Sequence, residues 1–259
     1  MVTLYEHPLS PYAQKVKIAL TEKGVEFAAQ LPDFFGGGDD AFRAASPRRE
    51  VPALVDGDTT VFDSTIILEY IEDRWPTPPL LPAGAAARAR VRQIEEVCDT
   101  YYEAINWAVY EIRVFQRATG ALADQLLARA AEQVAGVNAY LTRQLGDAPW
   151  FNGERFGWGD LAAAPFVGAA AASGHAPAAG SPLSAWLARV QERPSVATAF
   201  AQAQATLGGF SMLPDLVRSG QFVREYRDHR LEWMLRSGAV EVVLEGMQAR
   251  TIRFSDELH

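Results

Sequence analysis

Over the first eighty residues the apolar positions switch between strand and helix periods. Val2-Thr-Leu-Tyr5 is a short β-rich run. Val16, Ile18, Ala19 and Leu20 then follow helical spacing, and Lys23-Gly24 ends that helix with a cation followed by a glycine. Val25-Glu-Phe27 alternates like a second strand. Pro52-Ala-Leu-Val55, Asp56-Gly57-Asp58 and Thr60-Val-Phe62 predict a hairpin around an Asp-Gly turn. Ser64 to Trp75 predicts a helix with Ile67, Leu68, Tyr70 and Ile71 available for burial, stopped by Pro76. The order β-α-β-(α)-β-β-α implies a mixed sheet with a right-handed parallel crossover.

The proline-rich run Thr77–Gly84 marks a break. Beyond it the pattern is helical, with stretches at 86–118, 121–145, 159–172, 182–192 and 195–206 and no strand signal. We divide the chain into 1–79, a linker at 80–86, an all-helical domain at 87–210 and an extension at 211–259. The fold class is α/β followed by all-α. In the extension, Phe222, Tyr226, His229 and Trp233 recur at about one turn and predict an amphipathic helix over Phe222–Ser237. That helix pads the bundle, lids a cleft or meets another subunit. A second helical piece is predicted over Ala239–Met247, with Val240–Leu244 and Thr251–Phe254 as extended alternatives. Phe34–Asp40 reads as a brief flexible loop.

Composition narrows the class. The 259 residues are 49% hydrophobic and 22% charged, which is globular and excludes disorder. The net charge of −8 argues against nucleic acid, whose phosphates need a basic surface. Cys98 is the single cysteine and the four histidines are scattered, so neither an internal disulfide nor a metal site is expected. The first residues lack the basic and apolar regions of a leader, and the apolar stretches are too short for a membrane span. A cytoplasmic protein is expected.

Three short segments carry candidate chemistry. Leu9-Ser10-Pro11-Tyr12 joins the first strand to the first helix. Ser at the N-cap and Pro at N1 make an ordinary helix start. The same hydroxyl, beside the positive end of a helix, can also donate to a thiolate and lower its pKa. Arg49-Glu50-Val51-Pro52 leads into the third strand, with a proline at its entry. In Phe62-Asp63-Ser64-Thr65 either Asp63 or Ser64 caps a helix. The free N–H groups and Ser64 hydroxyl there suit a carboxylate, and Asp63 suits an ammonium, so together they suit an α-amino-acid head.

The run Tyr5–Leu20, Val51-Pro-Ala-Leu54, Asp63-Ser64 and the α/β-then-helical layout together resemble cytosolic glutathione S-transferases over about residues 1–210. Their order and spacing, more than any single motif, carry the resemblance. It implies a thioredoxin-like first domain, a cis Val51–Pro52 bond, and glutathione as co-substrate. Val51 would pair with the cysteinyl part, and Asp63 and Ser64 would hold the γ-glutamyl end. Arg49, or its rival Arg43, would meet the glycine end. Ser10, five residues before Lys15, is similar to the serine-type classes such as tau and zeta; Tyr5 is the rival hydroxyl.

The resemblance also implies a homodimer and attack of the thiolate on a small electrophile. Dedicated dehalogenation, ether cleavage or isomerisation, and a non-catalytic binding protein, are the alternatives. Phe156–Leu161 is similar to the family's capping box, with Gly157 at the usual Ser or Thr position and Asp160 structural. For the second substrate, Tyr12 and the 4-4-3 stripe Tyr102, Asn106, Tyr110 and Arg113 suggest a wall suited to an apolar electrophile with an anionic group. The competing reading of that stripe is core packing.

Overall fold

The structure, a computed structural model, describes residues 1–33, 39–207, 212–222, 229–249 and 251. The chain begins with β1 (Val2–Tyr5), α1 (Pro11–Glu22), β2 (Phe27–Gln30), α2 (Asp40–Ala45), β3 (Ala53–Asp56), β4 (Thr59–Phe62) and α3 (Ser64–Arg74). The strands form one mixed sheet in the order β2-β1-β3-β4. β1 runs parallel to β2 and antiparallel to β3, which pairs antiparallel with β4. The element order along the chain and the mixed sheet are those that the sequence pattern implies. β2 starts at Phe27 because the Val25 N–H donates back to the Leu20 carbonyl (2.9 Å), finishing α1 instead of opening a strand. Residues 34–38 of the expected loop lie outside the described residues; Asp39 caps α2 by accepting from the Phe42 N–H at 2.7 Å.

The helical part comprises α4 (Ala85–Val97), α5 (Glu103–Arg113), α6 (Gly120–Leu145), α7 (Trp158–Ala172), α8 (Pro182–Gln191), α9 (Pro194–Leu207), α10 (Leu213–Arg218), α11 (His229–Arg236) and α12 (Val240–Gln248). A π-helical turn at Cys98–Tyr102 joins α4 to α5. The helical stretch expected to reach 118 stops at Arg113, since Gln116 takes φ 51° and the Arg117 N–H turns back to the Glu111 carbonyl (2.9 Å). α10 has no counterpart in the sequence reading. Val240–Leu244, a candidate extended piece, is helical: Val240, Val243, Leu244 and Met247 share the i, i+3, i+4, i+7 spacing of one face. The helix expected over Phe222–Ser237 is described only from His229, because 223–228 lie outside the described residues, as do 252–254. Among the described residues, no helix is long and apolar enough to cross a membrane.

Side-chain alternation divides the sheet's two faces. Leu4 and Leu54 join Val16, Leu20, Ile67 and Ile71 in a core that continues into Val91, Ile94, Trp158 and Leu161 of the helices. Tyr5 and Ala53 face the other way, against Phe42 and Ala45 of α2. α1 lies between sheet and bundle, so even its lysines are buried and paired. Lys17 meets Glu6 at 2.6 Å, and Lys15 meets Glu95 at 2.6 Å and Asp99 at 2.5 Å.

The start of α7 is built as the capping box predicts. Asp160 accepts from the Gly157 N–H (3.0 Å), the Phe151 N–H (2.8 Å) and the Trp186 indole (2.8 Å). Glycine holds the cap because a Cβ there would lie 2.4 Å from the Leu80 carbonyl oxygen and 1.9 Å from the Asn152 amide.

Candidate functional site

Strand register gathers the three candidate segments. Tyr5 pairs with Ala53, and Ala53 with Phe62. The end of β1, the start of β3 and the end of β4 therefore meet at one end of the sheet. The segments just beyond them, at Ser10, Val51–Pro52 and Asp63–Ser64, emerge there together. The N-termini of α1 and α3 begin at the same end, each with the partial positive charge of its free N–H groups.

Ser10 caps α1 in extended backbone, its Oγ accepting from the Ala13 N–H at 3.2 Å. The hydroxyl's own proton has no acceptor among the described residues. In the preceding turn the Ser10 N–H donates to the His7 carbonyl (2.8 Å), and His7 Nδ1 accepts from the Leu9 N–H (3.2 Å). Burial lowers the His7 pKa against the opposing pull of Glu6, keeping the ring neutral near pH 7. The Tyr12 hydroxyl donates to the Asp99 carbonyl at 2.7 Å, and burial raises its pKa far out of the working range. Tyr5, the rival hydroxyl, is buried against Phe42, and burial raises its pKa too. The Cys98 thiol is fully buried and pushed well up, which leaves it inert as a nucleophile.

The Val51–Pro52 bond is cis, as is Thr77–Pro78. Asp63 takes φ 74°, in the left-handed region, and its Oδ1 accepts from the Thr65 and Ile66 N–H groups (3.1 and 3.3 Å). Its Oδ2 lies 3.9 Å from Arg48. Ser64 is buried as the first residue of α3, with its hydroxyl in no hydrogen bond among the described residues. Arg49 sits at φ 56° in a tight turn, exposed and off the cavity wall. Its neighbour Arg48, which the sequence reading missed, lies over the Phe62 ring (5.4 Å) and beside Asp63 and Glu50. Arg43 pairs with Asp40 at 2.5 Å.

A cavity of about 1120 Å³ runs from Ser10 and Val51 into the helices. Tyr12, Asn106 and Tyr110 line it; Tyr102 and Arg113 do not. Tyr102 is in the core, donating to Asn138 Oδ1 at 2.7 Å, and exposed Arg113 donates to the Ser173 carbonyl at the end of α7. The cause is helical phase. The face toward the cavity is Glu103, Trp107, Tyr110 and Val114, and at about 100° per residue Tyr102 and Arg113 fall a quarter-turn to the side. The 4-3-4 spacing of those four was legible, but the aromatic at 102 drew the stripe one residue early. The extension completes the wall: Met212, Leu213 and Leu216 line it, and Phe222 stacks on Phe115 at 6.1 Å and 14°. Met212, Leu213 and Leu216 precede the helix expected over Phe222–Ser237, of which 223–228 lie outside the described residues.

Behind the cavity, a buried cluster fixes α1 to the helices. Lys15 bridges Glu95 and Asp99, while Glu95 also accepts from Thr65 (3.0 Å) and the Trp158 indole (2.5 Å). Burial alone would lower the Lys15 pKa, but Asp99 and Glu95 outweigh it and raise it. Burial pushes Asp99 up to about 6 against the pull of Lys15. Among the described residues, no group of three or more His, Cys, Asp or Glu is placed to hold a metal.

Residues 4–79 match the model of the glutathione S-transferase N-terminal domain, and residues 124–189 that of the C-terminal domain. The chain belongs to the glutathione S-transferase family. It is 30% identical over 168 residues to a stringent starvation protein A homologue of Haemophilus influenzae, covering 64% of this chain and 74% of that one. The homologue from Coxiella burnetii is 40% identical over 92 residues, and this match spans 36% of the chain but only 44% of the relative. A rice glutathione S-transferase solved in complex with glutathione superposes with a TM-score of 0.69 at 27% identity, covering 83% of this chain and 97% of that one. The thioredoxin-like sheet domain followed by helices is the architecture of this family.

Proposed function

We propose that the chain is a glutathione transferase in which Ser10 stabilises the thiolate of bound glutathione. The observation that carries this is the Ser10 hydroxyl, which lines the cavity with its oxygen used by the helix cap and its proton without an acceptor among the described residues. A sulfur anion there would take that proton as a hydrogen bond and sit at the positive end of α1. Val51 is the backbone partner for the extended tripeptide. Ser64 and the start of α3 receive the γ-glutamyl carboxylate, Asp63 Oδ2 its ammonium, and Arg49, with Arg43 its rival, the glycine end. Residues 1–79 are then the thiol-binding domain, 87–210 the helical domain, and the start of 211–259 the roof over the second substrate.

In the reaction the thiol proton leaves to solvent. The sulfur lone pair forms the C–S bond to an electrophilic carbon of an apolar or aromatic molecule, and the leaving group departs with its bonding pair. Holding both partners together and keeping the thiol ionised supply the rate. The same proposal places the protein in the cytoplasm as a homodimer.

A non-catalytic binding role is the second reading, and the relatives named stringent starvation protein A homologues favour it. Calorimetric titration with glutathione, followed by turnover with a panel of chromogenic electrophiles, separates the two. Micromolar-to-millimolar binding with turnover that collapses in Ser10→Ala supports the enzyme. Binding with no turnover for any electrophile supports the second reading, and absence of binding removes glutathione from both.

A further inference from the structure

Among the described residues the cavity wall carries one acid, Glu103, and its one titratable base is His7, whose pKa burial lowers. Glu103 stands on it near Tyr12, with Trp107 one turn further along α5, and no lysine or arginine lines it among the described residues. No hydrogen bond or ion pair engages the Glu103 carboxyl among those residues. One turn before it, Asp99 Oδ1 is buried without a hydrogen-bond partner. Lys15, the nearest buried cation, is held by Asp99 and Glu95. An unpaired carboxyl in an apolar wall is costly unless something arrives to meet it. Aromatic faces beside it add attraction for the same sign of charge.

We propose that this cavity takes as its second substrate an apolar or aromatic molecule bearing a cationic nitrogen, which Glu103 receives. The word substrate rests on the transferase reading above; the cation preference does not. It replaces the anionic group that Arg113 suggested from sequence, since Arg113 is spent on the Ser173 carbonyl. Burial, with the Asp99 charge, pushes the Glu103 carboxyl up to about 7, so it holds its proton readily and a cation beside it favours its release.

The test uses three matched probes on the purified full-length chain at mildly alkaline pH: naphthylmethylammonium, naphthylmethanol and naphthylacetate. Binding is read by tryptophan fluorescence and calorimetry. The ammonium binds about tenfold or more tighter than the alcohol, and the acetate weakest. Glu103→Gln brings the ammonium down to the level of the alcohol without changing the alcohol's affinity, whereas Glu103→Asp keeps part of the preference. Equal binding of alcohol and ammonium to the wild type, an ammonium preference that survives Glu103→Gln, or no binding of any probe overturns the proposal. Glutathione titration of the same proteins reports separately. Loss of glutathione binding with the ammonium preference intact would sink the transferase reading and leave the cation site standing.

Discussion

Replacing Ser10 with alanine removes two hydrogen bonds of different kinds, and their sizes can be separated. The first is the cap to the Ala13 N–H; losing it costs about 1 kcal/mol of stability. The second is the proposed O–H···S⁻ bond, which as a hydrogen bond to a charged group is worth about 1.5–3 kcal/mol. At about 1.4 kcal/mol per pKa unit, its loss raises the thiol pKa of bound glutathione by about 1–2 units. The dipole of α1 remains, so the pKa stays somewhat below that of the free thiol.

The ultraviolet thiolate band of the complex, followed against pH, measures the shift directly. The rate with a chromogenic electrophile, read one pH unit below the wild-type thiol pKa, falls about 10- to 100-fold, while glutathione affinity changes little. Ser10→Thr keeps both groups and restores most of the rate. An unchanged thiol titration in Ser10→Ala with an unchanged rate would refute the role of the hydroxyl. A Tyr12→Phe variant should leave the titration unmoved, because the Tyr12 proton is already given to the Asp99 carbonyl.

Three further outcomes follow from the geometry. Lys15→Met leaves Glu95 and Asp99 buried without their cation and costs about 3–5 kcal/mol in urea denaturation. The Glu103 carboxyl sits near 4.5 in the unfolded chain and about 7 in the fold, so between those values the fold holds a proton that the unfolded chain has released. Glu103's contribution to stability therefore falls as pH rises through that window; Glu103→Gln removes its share of the slope, leaving that of Asp99 and Asp160, and is more stable at alkaline pH by on the order of 1–3 kcal/mol, measured by denaturation across pH. Phe222→Ala breaks the stack on Phe115 and raises KM for aromatic substrates about 2- to 10-fold without moving the glutathione thiol titration.

Local grammar made the sheet legible. The Asp-Gly turn at 56–57 set the β3–β4 register, and Ser10-Pro11 and Asp63-Ser64 marked the two helix starts that the register brings to one end. What stayed hidden depended on phase and on long-range partners. A one-residue error in the α5 stripe exchanged Glu103 for Tyr102, and nothing local distinguishes an aromatic that fills the core from one that lines a cavity. Arg48 and Arg49 are adjacent cations; only the left-handed backbone at Arg49 decides that Arg48 is the one beside Asp63. The extension failed for a similar reason. Residues 213–218 are too few to show a period, and nothing local marks Leu213 and Leu216 as residues that share a cavity wall with α5.

The buried cluster around Lys15 explains why the site sits where two layers meet. Ser10 can hold a thiolate only if α1 is fixed relative to the helices that carry the second substrate. Apolar packing alone leaves a helix free to slide by fractions of a side chain, because dispersion contacts are many and individually weak. A lysine bound to carboxylates from α4 and from the π-helical turn, themselves tied to Thr65 of α3 and Trp158 of α7, has one low-energy position. Tyr12 then ties the first turn of α1 to Asp99 of the same π-helical turn, whose first residue, Cys98, is packed inert. The wall that presents Glu103 is the continuation of that turn. Thiol site and second-substrate wall are therefore referenced to one rigid cluster, so a change at Lys15 should disturb the geometry of catalysis as well as the stability of the fold.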